Sequence, residues 1–192
     1  MDKKKEILEA AALLFRKKGY KGATMQDIAS EVGLLKGSIY YYFETKEDIL
    51  AQVVRQPLIE TTAGLREIRD SRMPSLEKFR KGMMTHLGVY DFRYPSAFAL
   101  LSEDYGSKSR MVNGAIISYL EEYERIWQDI IGQAAQDGVI DSRWNLKVLL
   151  FALLGMCNWM YKWYSPRGAL TATEIAEQFA ELFIRGIASY DR

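Results

Sequence analysis

Apolar residues recur at helical spacing along nearly the whole chain, and no stretch of useful length alternates as a strand would. From Lys3 to Lys18, Ile7, Leu8, Ala11, Leu14 and Phe15 share one face, and Gly19 stands where a C-terminal cap is expected. Thr24 opens a capping box with Asp27, and Met25, Ile28, Ala29 and Val32 follow at i, i+3, i+4 and i+7, which predicts a second helix ending at Gly33. A short helix from about Lys36 to Tyr42 comes next, with Leu35, Ile39, Tyr42 and Phe43 recurring on the side that packs inward. A further capping box, Thr45 to Asp48, starts a helix running to about Arg69, whose Ile49, Leu50, Val53 and Val54 face a core.

Beyond Arg69 the helices lengthen, with expected spans of 74–90, 95–104, 108–136, 141–164 and 171–189. The third carries Tyr119, Tyr123, Ile126, Trp127 and Ile130 on one face. The fourth is apolar on nearly every side, through Trp144, Leu149, Phe151, Leu154, Met156, Trp159, Met160 and Trp163, and must be covered all round. The pattern therefore predicts an all-α protein: an N-terminal three-helix helix-turn-helix domain over 1–47 and a larger helical domain over 48–192, to which the family resemblance stated below assigns effector binding and dimerisation.

Composition narrows this picture. A chain of 192 residues buries a real core without disulfides or metal. Its single cysteine, Cys157, lies in an apolar run, which excludes an intrachain disulfide and fits a reducing cytoplasm. The charged start from Met1 to Glu6 lacks the apolar core of a secretory signal. The run from Val148 to Tyr164 is shorter than the ~20 apolar residues of a membrane span and contains Asn158 and Lys162, so it reads as a buried helix. The net charge of +1 points to no polyanionic partner, and residues 1–50 hold 9 basic against 8 acidic groups. Any nucleic-acid contact must rest on local placement.

That placement exists. Two short helices joined by a Gly-containing turn and packed on a third can project the second helix into a major groove. Opposite the inward face, that helix presents Lys36, Gly37, Tyr40 and Tyr41, with Ser38 at the margin. Lysine pairs with phosphate or a guanine edge, glycine permits close backbone approach, and tyrosine hydroxyls reach phosphate while the rings meet thymine methyls. Helix N-termini near Thr24 and Lys46 favour phosphates, and Lys3, Lys4 and Lys5 form a basic arm.

The run Thr24-x-x-x-Ile28-Ala29-x-x-x-Gly33-x-x-x-Gly37-x-x-Tyr40-x-Tyr42-Phe43-x-x-Lys46 resembles the signature of the tetracycline-repressor (TetR) family. The resemblance implies phosphate contacts from Thr24, Tyr40 and Lys46, and base or mixed contacts from Lys36, Gly37, Ser38 and Tyr41, on a palindromic double-stranded operator. Leu35 departs from it, because many relatives carry a small polar residue there that can cap the recognition helix. The wording Leu34-Leu35-Lys36-Gly37-Ser38 is similar to members that regulate fatty-acid or other acyl-CoA metabolism. The resemblance further implies a cytoplasmic homodimer joined through the last two helices, with Leu149, Phe151, Phe179, Leu182 and Phe183 as interface candidates. Ile175 shares the apolar side of the final helix.

A hydrophobic effector would be lined by Phe98, Leu101, Tyr105, Trp127, Met156 and Met160, whose aromatic and thioether groups make adaptable walls. If it is an acyl-CoA, its phosphates need cations, and Arg66, Arg69, Arg72, Arg93, Lys108 and Arg110 are the reservoir. A regulator of multidrug efflux sensing lipophilic drugs is the competing reading and needs none of them. A helical enzyme is disfavoured: His86, the only histidine, reads as a surface or core-edge residue, and neither it nor Cys157 has a recognisable partner in sequence. No metal-ligand spacing or cofactor motif occurs. A purely structural helical module leaves the Lys36–Tyr41 face unexplained.

Overall fold

The computed structural model describes residues 2–88, 114–160, 163–165 and 167–188. The expected helix over 95–104 lies outside these residues. The helices described are α1 (Lys3–Gly22), α2 (Met25–Glu31), α3 (Lys36–Ile39), α4 (Lys46–Asp70), α5 (Ser75–Gly88), α6 (Gly114–Gln136), α7 (Leu146–Trp159) and α8 (Ala172–Ile187). The one extended pairing among the described residues is an isolated bridge between Ile140 and Ala188. No helix of the described residues is long and apolar enough to cross a membrane.

The described residues divide into two compact units, the first comprising residues up to Leu58 with 114–118, and the second 59–88 with those from Tyr119 onward. The 47/48 boundary expected from sequence falls at the start of α4, which continues without interruption to Asp70 with the buried Pro57 inside it. In the first unit Ile7, Ala11, Leu14 and Phe15 from α1 meet Ile28 and Ala29 from α2, Ile39, Phe43, and Ile49, Leu50 and Val53 from α4, all buried. Gly19 interrupts α1 at φ 72°, a left-handed conformation that a side chain would strain, so the break falls where the cap is expected.

In the second unit, α4 from residue 59, α5, α6 from Tyr119, α7 and α8 supply the core. Its centre is Trp127, fully buried, which meets Phe79 at a centroid distance of 6.1 Å, while Phe183 stacks on Phe79 at 5.3 Å. Lys78 is buried as well, its ammonium donating to the Arg69 carbonyl at 2.7 Å and to Gln133 Oε1 at 2.9 Å. The cation thus caps the C-terminal end of α4, where the helix dipole favours positive charge.

The expected helix over 141–164 starts later, at Leu146, because Asn145 takes an extended backbone and its side chain accepts from the Lys147 and Val148 amides. Nor is α7 covered all round. Leu149, Leu150, Leu153, Leu154 and Cys157 are buried, whereas Val148, Phe151, Ala152, Gly155 and Trp159 form an exposed stripe at helical spacing.

Candidate functional site

The turn between α2 and α3 is built on Gly33, at φ 67°, with the Gly33 amide donating to the Ser30 carbonyl and the Leu34 amide to the Ala29 carbonyl at 2.8 Å. At four residues, α3 is too short to hold itself, since nucleating a helix costs more than one turn returns. It is held by Ile39, which is completely buried, and by Phe43, whose amide donates to the Ile39 carbonyl at 3.1 Å. The sequence-predicted helix to Tyr42 is therefore a single helical turn that winds on as turns through Tyr42.

With Ile39 pinned inward, Lys36, Gly37, Ser38, Tyr40 and Tyr41 are all exposed, and Tyr41 reaches 88 %. The Tyr41 and Tyr42 rings meet edge to face, with centroids 5.3 Å apart. A Cβ built on Gly37 meets nothing within 4 Å, so the glycine is not demanded by packing inside the protein. Leu35 corrects the inward reading. It is 80 % exposed because it precedes the helix in extended backbone, off the helical period, and it supplies no side-chain cap.

Thr24 is exposed and caps α2: its hydroxyl accepts from the Asp27 amide at 3.1 Å, and the Asp27 carboxylate accepts from the Thr24 amide at 2.9 Å. Lys18 donates to the same carboxylate at 2.8 Å, and with Thr24 it holds the Asp27 pKa down at about 2. Lys46, expected at a phosphate, makes contacts within the chain. Its ammonium donates to the Tyr20 and Ala23 carbonyls, each at 2.7 Å, and lies 4.2 Å from the Tyr20 ring centroid. It thereby clamps the end of α1 to the start of α4, with Tyr20 donating to Glu47 at 2.7 Å alongside. Sequence reasoning missed this clamp, because its acceptors are main-chain carbonyls far away in the chain.

Of the sensor candidates, Trp127 and Met160 are buried and Met156 is half-buried, while Phe98, Leu101 and Tyr105 lie outside the described residues. Among the reservoir cations, Arg66 is already paired with Glu122 at 2.6 Å and Arg69 with Asp70 at 2.8 Å and Asp129 at 3.4 Å. Arg72 is exposed, and Arg93, Lys108 and Arg110 lie outside the described residues. His86 corrects its reading as a surface or core-edge group. It is completely buried and hydrogen-bonded through Nδ1 to the Tyr123 hydroxyl. Burial lowers its pKa to about 4, a side-chain hydrogen bond with Asn158 opposing this only in part. The signal was present in sequence, since Phe79, Gly82, Met83 and His86 share one stripe of α5. Burial likewise pushes the Cys157 thiol up and keeps it protonated.

The interface candidates separate. Phe151 and Leu182 are exposed, and Phe179 is half-buried with its ring 6.2 Å from that of Trp163. Leu149 is buried on the inner side of α7, and Phe183 is half-buried and stacked on Phe79 within the chain. Periodicity gave both helices an apolar surface but did not fix which arc of it the rest of the chain covers.

Comparison with known proteins agrees with this architecture at both ends of the chain. The family described as "Bacterial regulatory proteins, tetR family" matches residues 7–53, and "Tetracyclin repressor-like, C-terminal domain" matches residues 72–187. The chain is 28% identical to the HTH-type transcriptional repressor KstR2 of Mycobacterium tuberculosis over 188 residues, which cover 95% of this chain and 91% of that protein. The structure of PfmR, a TetR family regulator from Thermus thermophilus, superposes with a TM-score of 0.78 at 29% identity, covering 93% of this chain and 97% of the other. Apo AibR superposes with a TM-score of 0.75 at 26% identity, covering 95% and 98%, and AibR has also been solved in complex with isovaleryl coenzyme A and operator DNA. With a helix-turn-helix whose outer face is exposed and a helical second unit matched over most of its length, the chain belongs to the TetR family of transcriptional regulators.

Proposed function

We propose that this protein is a homodimeric repressor that leaves a palindromic operator when a hydrophobic small molecule, an acyl-CoA, binds its second unit. The observation that carries the DNA half is the outward set Lys36, Gly37, Ser38, Tyr40 and Tyr41, held in place by a buried Ile39. Exposed tyrosines beside a lysine and a glycine that packing does not require suit a phosphate-lined groove better than water.

Dimerisation rests on the uncovered stripe of α7 with Leu182 of α8, which are 62 % exposed at Trp159 and 67 % at Leu182. An apolar surface of this kind is what a two-fold interface buries, and it would set two recognition helices roughly 34 Å apart. The acyl-CoA reading is supported by kinship to AibR, solved with isovaleryl coenzyme A and operator DNA. The ion pairs of Arg66 and Arg69 weigh toward a lipophilic, drug-like effector that needs no cationic partners, because phosphates would have to displace Glu122 and Asp129.

The effector must favour the arrangement that does not bind DNA, since equal affinity for both shifts nothing. The test is in vitro selection of a binding site with the full-length protein, followed by release measurements with acyl-CoA thioesters and with lipophilic cationic dyes. Selection of an inverted repeat and its release by thioesters alone is expected. No enriched site would overturn the DNA reading, and release by dyes alone would replace the effector class.

A further inference from the structure

Three turns of the second unit stack in register. At the first, Lys78 of α5 reaches the Arg69 carbonyl of α4 and Gln133 of α6. One turn on, a Cβ built at Gly82 would lie 3.4 Å from Leu65 of α4 and 2.8 Å from Trp127 of α6. Another turn along α5 brings His86, bonded to Tyr123 of α6, which is one turn from Trp127. Since α4 runs opposite to α5, the same step leads from Leu65 back to Thr61, and a Cβ built at Gly64 would lie 3.1 Å from Cγ2 of Thr85, in agreement with that register. Asn158 joins His86 from α7. The turn above the Trp127 layer is therefore polar.

That polar layer is incompletely satisfied. The Thr61 and Thr62 hydroxyls and the Trp127 indole N–H are buried with no hydrogen-bond partner among the described protein atoms. Buried polar groups are paired in most proteins, and here two threonine hydroxyls at this turn and the indole N–H one turn below are left over on adjoining turns of the bundle. We infer that this layer is a recognition site for an oxygen-bearing, uncharged part of the effector, and that the effector is an apolar molecule carrying a keto or hydroxyl group rather than a plain hydrocarbon chain.

Donor and acceptor types narrow the chemistry. The indole N–H only donates, so it calls for an oxygen acceptor, while the threonine hydroxyls serve either role. His86 is held neutral by burial, and among the described residues no carboxylate or free cation is part of the layer, which disfavours a charged group there. A site built to hydrogen-bond a ligand oxygen discriminates against the analogue lacking it more sharply than an apolar wall does against an extra methylene.

The inference rests on the proposal that the second unit receives the effector, and the test separates the two. Calorimetric titration of the full-length protein would compare octanoyl-CoA with its 3-, 5- and 7-oxo derivatives, each alongside its free acid. At least one oxo compound is expected to bind about tenfold more tightly than its saturated counterpart. The preference should shrink to about threefold or less in Thr61→Val or Trp127→Phe, with the affinity for the saturated compound kept. Oxo preference among free acids that bind as well as thioesters would support the polar layer and overturn the acyl-CoA reading. Thioester binding without oxo preference would do the reverse. Failure of every oxo compound to bind, or a preference unchanged in both variants, would also overturn the inference, and the wild-type comparison stands even if a variant does not fold.

Discussion

Gly82 on α5 lies beneath the ring of Trp127 on α6, so close that a Cβ at position 82 would sit 2.8 Å from Cη2 and 3.2 Å from Cζ3 of the indole. Trp127 is fully buried and packed edge-on against Phe79, so an added methyl must displace a close-packed ring. Gly82→Ala is expected to destabilise by roughly 1–2 kcal/mol, overpacking outweighing the helix-propensity gain of about 1 kcal/mol. Gly132→Ala on α6, with nothing within 4 Å of its Cβ, should instead stabilise. Urea unfolding of the two variants checks the contrast, and equal effects would contradict it.

Gly37 gives the opposite case, because its Cβ position is open. Gly37→Ala is expected to leave the melting temperature unchanged or raised while weakening binding to a selected site about tenfold or more, through lost backbone approach. Tyr41→Ala should fold normally and lose discrimination between selected and scrambled sites. Fluorescence anisotropy on both sequences measures each effect.

Lys46→Met removes two charge-assisted bonds to main-chain carbonyls and keeps the length of the side chain. A loss of about 2 kcal/mol in stability is expected even without DNA. A variant as stable as the wild type, but weak on DNA, would return Lys46 to a phosphate role.

His86 gives stability a pH dependence of definite sign. Its folded pKa is lowered from 6.5 to about 4, so on acidification the unfolded chain takes the proton first. The contribution of the neutral ring is intact above about pH 6.5 and is lost as pH falls toward 4, by roughly 3 kcal/mol in all. Asp27 acts only lower, between its ordinary 3.8 and about 2. Denaturant titrations from pH 7.5 to 4 should show this slope in the wild type and a flatter one in a folded His86→Gln variant.

Leu182→Arg or Phe151→Glu places charge on the exposed face of the last two helices. Sedimentation should then report monomers, and affinity for a palindromic site should fall at least tenfold while a thermal transition persists. A dimer that survives both substitutions would move the interface elsewhere.

Much of this was readable from spacing alone. The capping box at Thr24, the break at Gly19 and the inward Ile39 and Phe43 follow from local rules that need no distant partner. Leu35 misled because the residue before a helix does not obey the helix period. The inward position of Leu149 was not legible, because a helix apolar on nearly every side does not tell which arc its own chain will cover. Lys46 and Gly82 depend on groups remote in sequence, a pair of carbonyls and an indole edge, and no periodicity carries that information. His86 was recoverable from the stripe of α5, where a polar residue at a core position needed a partner such as Tyr123.

The division of labour across α3 and the turns that follow it reaches beyond this one operator. Ile39 and Phe43 carry the attachment to the core, and Lys36, Gly37, Ser38, Tyr40 and Tyr41 lie on the exposed side. With the outer set reading DNA as proposed, substitutions there would rewrite which sequence is read without taxing the fold, and operator preference and stability would drift independently as such genes diverge.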